Sequence, residues 1–247
     1  MRAPTDRIVA PLFPTKGSWV NVDGAAPSII QRGRPMLVEF WDFCRPNSLR
    51  TLPYVKAWHE RYGELGLRVI GVHCPGFDAS RDEQAVRDAV ARLEIGYPVL
   101  IDGELEVWED YGNEGWPARY LFDGRARLFD YHYGEGAYDD SELAIQELLG
   151  VEREPLAPVR PEDAPGAQLV VPSAERAGAY SGPYEAGAAW AVLDGAGTLR
   201  CNDTELTVSH PGALLLVEHR RHTAAALELE AGAGVDVQAT CFTPGLA

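Results

Sequence analysis

The chain has 247 residues, of which 46% are apolar and 24% are charged, a composition typical of a globular protein. Its net charge of −15 is spread over both halves, which excludes the basic patch that nucleic acids and anionic membranes require. No apolar run approaches the roughly 18 residues of a membrane span, and residues 1–13 lack the apolar core of a secretory signal. We therefore expect a cytoplasmic protein with reduced thiols, bound to neither nucleic acid nor membrane.

The first 150 residues alternate between strand-like and helix-like stretches. Short apolar runs predict strands, apolar residues at three- and four-residue steps predict helices, and Asp123-Gly124 predicts a hairpin turn. Gly150 is the expected end of the last helix. The predicted strands are residues 36–40, 67–72, 97–101, 119–122 and 127–131, and the predicted helices are residues 49–65, 82–93, 105–111 and 141–149. This order predicts an α/β domain over residues 1–150, with helices on the faces of a mixed sheet.

Residues 151–166 contain four prolines and several charges, which is the composition of a linker. Helix signals nearly vanish after it, and short strand-like runs alternate with Gly, Pro, Asn and Asp. The predicted strands are residues 190–193, 198–201, 205–208, 213–217, 224–229 and 235–242. The spacing predicts a small all-β sandwich or jelly-roll domain over residues 167–247.

Residues 39–53 place a buried strand directly before a helix that contains Pro53. Proline is costly inside a helix, so its presence there is informative. With Phe40, Trp41 and Pro53 matched, the segment resembles the TlpA/redoxin (AhpC/TSA-like) branch of the thioredoxin-like superfamily, and within it the DipZ C-terminal region. The resemblance implies a thioredoxin-like domain, followed by a jelly-roll domain similar to carbohydrate-binding modules.

Members of that branch carry Cys-x-x-Cys after Phe-Trp and three further residues. In this chain the first family cysteine falls on Arg45 and the second on Ser48, while Cys44 lies one position earlier. The resemblance also places Glu39 where a buried carboxylate moves protons for the second thiol. The active pair of the family is therefore predicted to be replaced here.

A second segment, residues 111–121, resembles the part of the family that carries a cis-proline opposite the active site. The resemblance implies a cis bond before Pro117 and a substrate groove beside it. The predicted groove residues are Trp41, Arg45, Asn47, Ser48, Trp116 and Pro117.

Dithiol exchange needs one sulfur to attack a disulfide and a second to resolve it. Cys44 is the candidate stand-in, because a helix start and the adjacent Arg45 both favour a thiolate. The alternative is a small apolar residue packed behind the loop. Cys74 is a possible resolving thiol, provided that the two Cα atoms lie within about 7 Å. Glu39 is either a proton relay or an inherited core carboxylate.

We predict no cofactor and no metal. His219 and His222 are three residues apart on a strand-turn segment, so their side chains should point to different faces of an exposed polar corner. No third ligand follows at metal-binding spacing.

Three hypotheses for function remain open. The first is a thiol redox protein acting through Cys44 on a thiol- or disulfide-bearing protein, a peptide or a small thiol. The second is a catalytically silent thioredoxin fold that binds a partner in the groove beside Pro117. The third places function in the β domain, as a module for a sugar or another small ligand.

Overall fold

The computed structural model describes residues 8–14, 16–22 and 33–247. Residues 1–7, which contributed to the expectation of no secretory signal, lie outside the described residues. The chain divides into two compact units. The first, here the α/β unit, comprises Met1–Asp42, Asn47–Pro75 and Val86–Ala157. The second, here the β unit, comprises Phe43–Pro46, Gly76–Ala85 and Pro158–Ala247.

A six-stranded mixed sheet organises the α/β unit, with strand order β1-β4-β3-β2-β5-β6. Strands β2, β3 and β4 are parallel, while β1, β5 and β6 run antiparallel to their neighbours. The parallel strands are short, apolar and buried, as expected for a sheet covered on both faces. The strands are β1 Ser18–Val20, β2 Met36–Trp41, β3 Arg68–His73, β4 Val99–Ile101, β5 Ala118–Phe122 and β6 Leu128–Tyr133.

Among the described residues, four α-helices connect or follow these strands: α1 Pro46–Tyr62, α2 Glu83–Arg92, α3 Glu106–Asp110 and α4 Tyr138–Leu149. Helix α1 begins three residues before the apolar pattern that predicted it, because proline is well suited to a first helical turn. Gly150 ends α4 with φ 67°, which confirms the predicted C-cap.

The predicted hairpin between β5 and β6 is confirmed. The Asp123 N–H donates to the carbonyl of Arg127 at 2.9 Å, and the Asp123 carboxylate accepts from the N–H groups of Arg125 and Arg127, both at 2.8 Å. Strand β1 was not predicted, because its three residues are too few to show a periodicity.

The two faces of β2 bury different chemistry. Met36, Val38 and Phe40 lie in an apolar cluster with residues of β3, β4 and β5. The alternate residue Glu39, on the other face, pairs in register with Gly71 of β3 and Arg119 of β5. Every residue of β2 is buried. The strand therefore carries an apolar face and a face that buries an ionisable group.

The β unit is built from β-sheets, which confirms a β domain in the C-terminal region. Its three sheets have the strand orders β11-β10-β13, β12-β9-β14-β8 and β15-β7. The strands are β7 Leu169–Val170, β8 Arg176–Ala177, β9 Gly182–Gly195, β10 Gly197–Cys201, β11 Thr204–Val208, β12 Gly212–Leu227, β13 Leu229–Ala231, β14 Val235–Thr243 and β15 Gly245–Leu246.

The prediction of two separate strands at residues 213–217 and 224–229 was wrong, because one strand, β12, runs through most of both. Two register irregularities lie within it, after Leu215 and after Glu218, so the polar stretch that suggested a turn is an interruption in pairing. His219 and His222 therefore lie within a strand and are partly buried. The His219 ring is 2.9 Å from the Tyr184 hydroxyl, which corrects the expectation of an exposed corner.

Residues 151–157 belong to the α/β unit. The backbone N–H groups of Val151 and Arg153 donate to the main-chain and side-chain oxygens of Gln146, at 3.0 and 2.8 Å, and the Leu156 N–H donates to Glu142 at 2.8 Å.

Among the described helices, none has the length and apolarity that crossing a membrane would require.

Candidate thiol site

Four polar side chains meet where the parallel strands of the α/β unit end. Asp42 follows β2, and Asp102 follows β4. His73 is the last residue of β3, and Cys74 comes directly after it. His73 Nε2 lies 3.6 Å from Asp42 Oδ1, and the Asp102 N–H donates to the His73 carbonyl at 2.9 Å. All four are buried. The carboxyl edge of the sheet thus gathers two acids, an imidazole and a thiol.

The Cys74 thiol is held in its protonated form. Its Sγ donates to Asp102 Oδ2 at 3.4 Å. Burial raises the pKa of Cys74 well above its ordinary value, and the carboxylates of Asp102 and Asp42 raise it further. A thiol with a raised pKa is a poor nucleophile, because only the thiolate attacks. Cys74 is therefore placed as a hydrogen-bond donor.

Asp102 also organises the start of α3. Its carboxylate accepts hydrogen bonds from the N–H groups of Val107 at 3.2 Å and Trp108 at 2.8 Å. The Trp108 ring lies 4.3 Å, centroid to centroid, from the ring of Trp116, whose Nε1 donates to the Cys74 carbonyl at 3.0 Å. The Trp116–Pro117 peptide bond is cis, and Pro117 is buried. The structure thus brings the predicted groove residue Trp116 to Cys74.

Ser48 and Asn47 have backbone roles at the start of α1. Ser48 Oγ accepts a hydrogen bond from the Asp42 N–H at 3.2 Å, and the side chain is fully buried. The Asn47 carbonyl accepts from the Thr51 hydroxyl at 3.0 Å. Trp41 is also fully buried, with its ring edge against His73. Ser48 therefore fixes the turn between β2 and α1.

Glu39 is the strongly perturbed acid among the described residues of the α/β unit. Burial raises the pKa of its carboxyl to about 8, while Arg119 and a hydrogen bond from Tyr97 act in the opposite direction. Tyr97 donates to Glu39 Oε2 at 3.4 Å, and Oε1 has no hydrogen-bond partner among the described residues. A carboxyl with this pKa can hold or release a proton near neutral pH. A side chain at Gly71 would come within 3.1 Å of both Trp41 Nε1 and the Tyr97 ring, so glycine leaves room for this packing.

Cys44 and Arg45 belong to the β unit. Cys44 is fully buried, two residues before α1 begins. Arg45 forms an ion pair with Glu175 at 3.1 Å, and its guanidinium lies 4.4 Å above the centre of the Phe77 ring. Glu175 also accepts from the Cys241 thiol at 3.3 Å, and burial raises the pKa of that thiol. The Arg45 side chain is thus held by an acid and an aromatic ring.

The four cysteines all lie in the described residues, and no disulfide joins any two of them. The structure therefore shows no Cys44–Cys74 bridge. Among the described residues, no group of three or more His, Cys, Asp or Glu side chains could hold a metal ion. Asp42 and Asp102 were not identified from the sequence, although Asp102 directly follows one predicted strand and Asp42 lies two residues after another. That position was the available signal, because parallel strands end at one edge of a sheet.

The strand order and flanking helices of the α/β unit define a thioredoxin-like fold. The chain is 35% identical over 133 residues to Protein DipZ of Mycobacterium tuberculosis, covering 53% of this chain and 19% of DipZ. It is 24% identical over 132 residues to thiol-disulfide oxidoreductase YkuV of Bacillus subtilis, covering 53% of this chain and 88% of YkuV. A thiol-disulfide isomerase structure from Corynebacterium glutamicum superposes with a TM-score of 0.50 at 24% identity, covering 58% of this chain and 98% of that one. No family model matches.

The α/β unit therefore has the thioredoxin-like fold, and its sequence is similar to that of DipZ and of thiol-disulfide oxidoreductases, in agreement with the resemblance found in residues 39–53. Its relatives include thiol-disulfide oxidoreductases. The matched segment spans about a fifth of DipZ.

Proposed function

We propose that this chain is a thiol redox protein of the thioredoxin fold that reacts through one cysteine, Cys44. The observation that carries the proposal is the chemistry of the two aligned positions. Position 45 holds an arginine paired with Glu175, and position 48 holds a buried serine whose oxygen accepts the Asp42 N–H. Neither position carries the sulfur that dithiol exchange requires.

Two features favour reaction at Cys44 over the other thiols. Cys44 lies two residues before a helix of 17 residues, whose N-terminus carries partial positive charge. Its neighbour Arg45 adds a full positive charge. Cys74 and Cys241, in contrast, each donate to a carboxylate, which disfavours their thiolates.

The proposed step is a single thiol–disulfide exchange. The Cys44 thiolate attacks one sulfur of a disulfide, so that a mixed disulfide forms and the partner's other sulfur leaves as a thiolate. A second, external thiol then attacks the mixed disulfide and releases reduced Cys44. The substrate class is a disulfide-bearing protein, peptide or small molecule, in keeping with the thiol-disulfide oxidoreductases among the relatives. Glu39, with a pKa of about 8, is proposed to accept or return a proton in this pH range.

The proposal is tested by incubating the full chain with glutathione disulfide near pH 8 and locating adducts by peptide mass spectrometry. We expect one adduct, on Cys44, which is lost in Cys44→Ser and kept in the matched control Cys201→Ser. Denatured protein should take up glutathione at all four cysteines. An adduct confined to another cysteine, or none on the folded chain, would overturn the proposal.

A second experiment tests the two aligned positions. The double variant Arg45→Cys with Ser48→Cys restores the family pair and should reduce insulin disulfides much faster than the parent chain, which exchanges through Cys44 alone. Each single variant should stay near the parental rate, because resolution of the mixed disulfide within the protein needs both sulfurs. A folded double variant that is no faster than the parent chain would show that the match of residues 45 and 48 to the family pair is incorrect.

One observation favours a second candidate function, a silent thioredoxin fold that binds a partner without exchange. Cys44 is fully buried, which hinders attack on a disulfide. This candidate predicts no glutathione adduct on the folded chain and is therefore distinguished by the first experiment.

A sugar-binding role for the β unit gains no comparable support. All residues of this unit are described, and none of its exposed large apolar side chains is aromatic. Aromatic rings usually supply the flat surface on which a sugar stacks, so the proposed function is assigned to Cys44.

A further inference from the structure

A groove of about 500 Å³ opens in the α/β unit, and its lining contains no cysteine. Residues 8–11, the end of α3 and strands β5 and β6 form its walls. A volume of this size falls within the range of small-molecule sites in proteins. The groove is separate from the residues that the proposed thiol chemistry uses.

The walls of the groove are apolar, yet several of them face solvent. Ile8 is 52% exposed, Val9 60%, Tyr131 46% and Tyr133 42%. Single exposed apolar side chains are common, but a contiguous group around a concave surface is a typical feature of a binding site. The body of a ligand in this groove is therefore expected to be apolar.

The tyrosines of the groove are held in place by one another. The Tyr120 hydroxyl lies 2.9 Å from Asn113 Oδ1 and 3.0 Å from the Tyr133 hydroxyl. The ring of Tyr133 makes edge contacts with the rings of Tyr120 and Tyr131, at centroid distances of 5.9 and 5.7 Å. A ligand would thus meet aromatic rings that are already ordered, which lowers the entropic cost of binding.

The described lining of the groove carries charge of one sign. Asp110 and Glu114 are exposed carboxylates in it, and among the described residues the lining includes no lysine, arginine or histidine. Neither carboxylate has an ion-pair partner among the described residues. A cation in the groove would gain from both carboxylates and from the faces of the tyrosine rings, which carry negative potential. An anion would be repelled by the same groups.

We propose that this groove binds a small organic ammonium ion with an apolar body. The apolar part lies against Ile8, Val9 and the tyrosine rings, and the ammonium group lies toward Asp110 and Glu114. This inference goes beyond the proposed thiol function, because it requires no cysteine. Cys44→Ser is therefore expected to leave binding unchanged.

The test measures binding of 2-phenylethylammonium to the full chain by isothermal titration calorimetry at low salt. The matched control ligand is 3-phenylpropionate, which has a similar apolar body and the opposite charge. We expect the ammonium ion to bind and the carboxylate not to bind. Asp110→Asn combined with Glu114→Gln should raise the dissociation constant about five- to tenfold, and Tyr133→Ala should raise it by a similar factor.

The matched control variant is Glu60→Gln, which removes an exposed carboxylate from α1, outside the groove lining, and should leave the affinity unchanged. Equal binding of both ligands, no binding of the ammonium ion, or binding unaffected by the groove variants would overturn the proposal. Sedimentation provides a further check. Self-association that Tyr131→Ala abolishes, without any ammonium binding, would assign the groove to contact between two copies of the chain and would likewise overturn it.

Discussion

The two faces of β2 differ in what they bury. One face packs apolar side chains that stabilise the fold, and the other buries a carboxyl group that can titrate. On the first face, Phe40 packs edge-on against the rings of Trp108, Tyr111 and Tyr120, with centroid distances of 5.2 to 6.0 Å. On the second face, Glu39 is equally buried but lies opposite Arg119 in the strand register. The backbone is the same on both sides, so the difference lies entirely in the side chains.

The second face is costly to maintain. A buried carboxyl whose pKa is raised to about 8 opposes folding wherever the unfolded chain would be ionised. Arg119 is also buried, and burial lowers its pKa. Apolar residues at these positions would avoid both costs. The presence of an acid at this position agrees with the proton-transfer role proposed for Glu39.

The largest effect is expected on the apolar face. Phe40→Ala removes a fully buried ring from an aromatic cluster and should lower the free energy of unfolding by about 3–5 kcal/mol. Urea denaturation followed by tryptophan fluorescence measures this loss. Leu12→Ala, at a side chain that is 75% exposed, is the control and should change stability by less than about 0.5 kcal/mol. A loss at Phe40 no larger than the control would remove the distinction between the faces.

The next effect concerns the second face of β2, where Glu39 is expected to make the free energy of unfolding depend on pH. Glu39 has a folded-state pKa of about 8, above the ordinary glutamate value of about 4.3. Below pH 4 both folded and unfolded states are protonated, so Glu39 contributes nothing to the pH dependence. Between these two pKa values the unfolded state ionises first, so stability falls as pH rises, by roughly 3–5 kcal/mol in all, and the fall levels off above pH 8.

Glu39→Gln should remove that part of the pH dependence. Urea denaturation at four pH values between 5 and 8 gives the slope for each protein. Glu64→Gln, at an exposed position just after α1, is the control and should keep the parental slope. Identical slopes in the parent chain and Glu39→Gln would show that Glu39 does not titrate in this range.

The smallest effect on the free energy of unfolding is expected at the turn that joins the end of β2 to α1. Ser48→Ala removes the oxygen that accepts the Asp42 N–H and should cost about 1–2 kcal/mol in the free energy of unfolding. Ser48→Thr keeps the oxygen and serves as the comparison, since it alters packing without removing the acceptor. If Ser48→Ala were as stable as the parent chain, the hydroxyl would have no role in fixing this turn.

The sequence predicted the fold of the α/β unit well, because its signals are local. Helix α1 follows from apolar spacing, the hairpin follows from Asp123-Gly124, and the end of α4 follows from Gly150. The long strand β12 was missed because its polar middle resembles a turn. Its continuity depends on pairing with β9, which lies far away in the sequence.

The candidate site was less predictable, for the same physical reason. Glu39, Cys74 and Trp116 could be selected one by one, from a resemblance or from their position in the chain. The contact of Cys74 with Asp102 and the register of Glu39 with Arg119 depend on which strands become neighbours. Which strands become neighbours depends on contacts between residues far apart in the sequence, so no short stretch of sequence predicts it.

The β unit takes its residues from three separate stretches of the chain, one of which is the four-residue loop Phe43–Pro46. The N–H of Ala213 donates to the carbonyl of Phe43 at 3.2 Å, so this loop is hydrogen-bonded to a strand about 170 positions later in the sequence. No single cut of the polypeptide can therefore release both units intact. Truncation after residue 157 would strip the loop that carries Cys44 of its hydrogen-bond donor, and thiol assays on such a fragment would describe a different molecule.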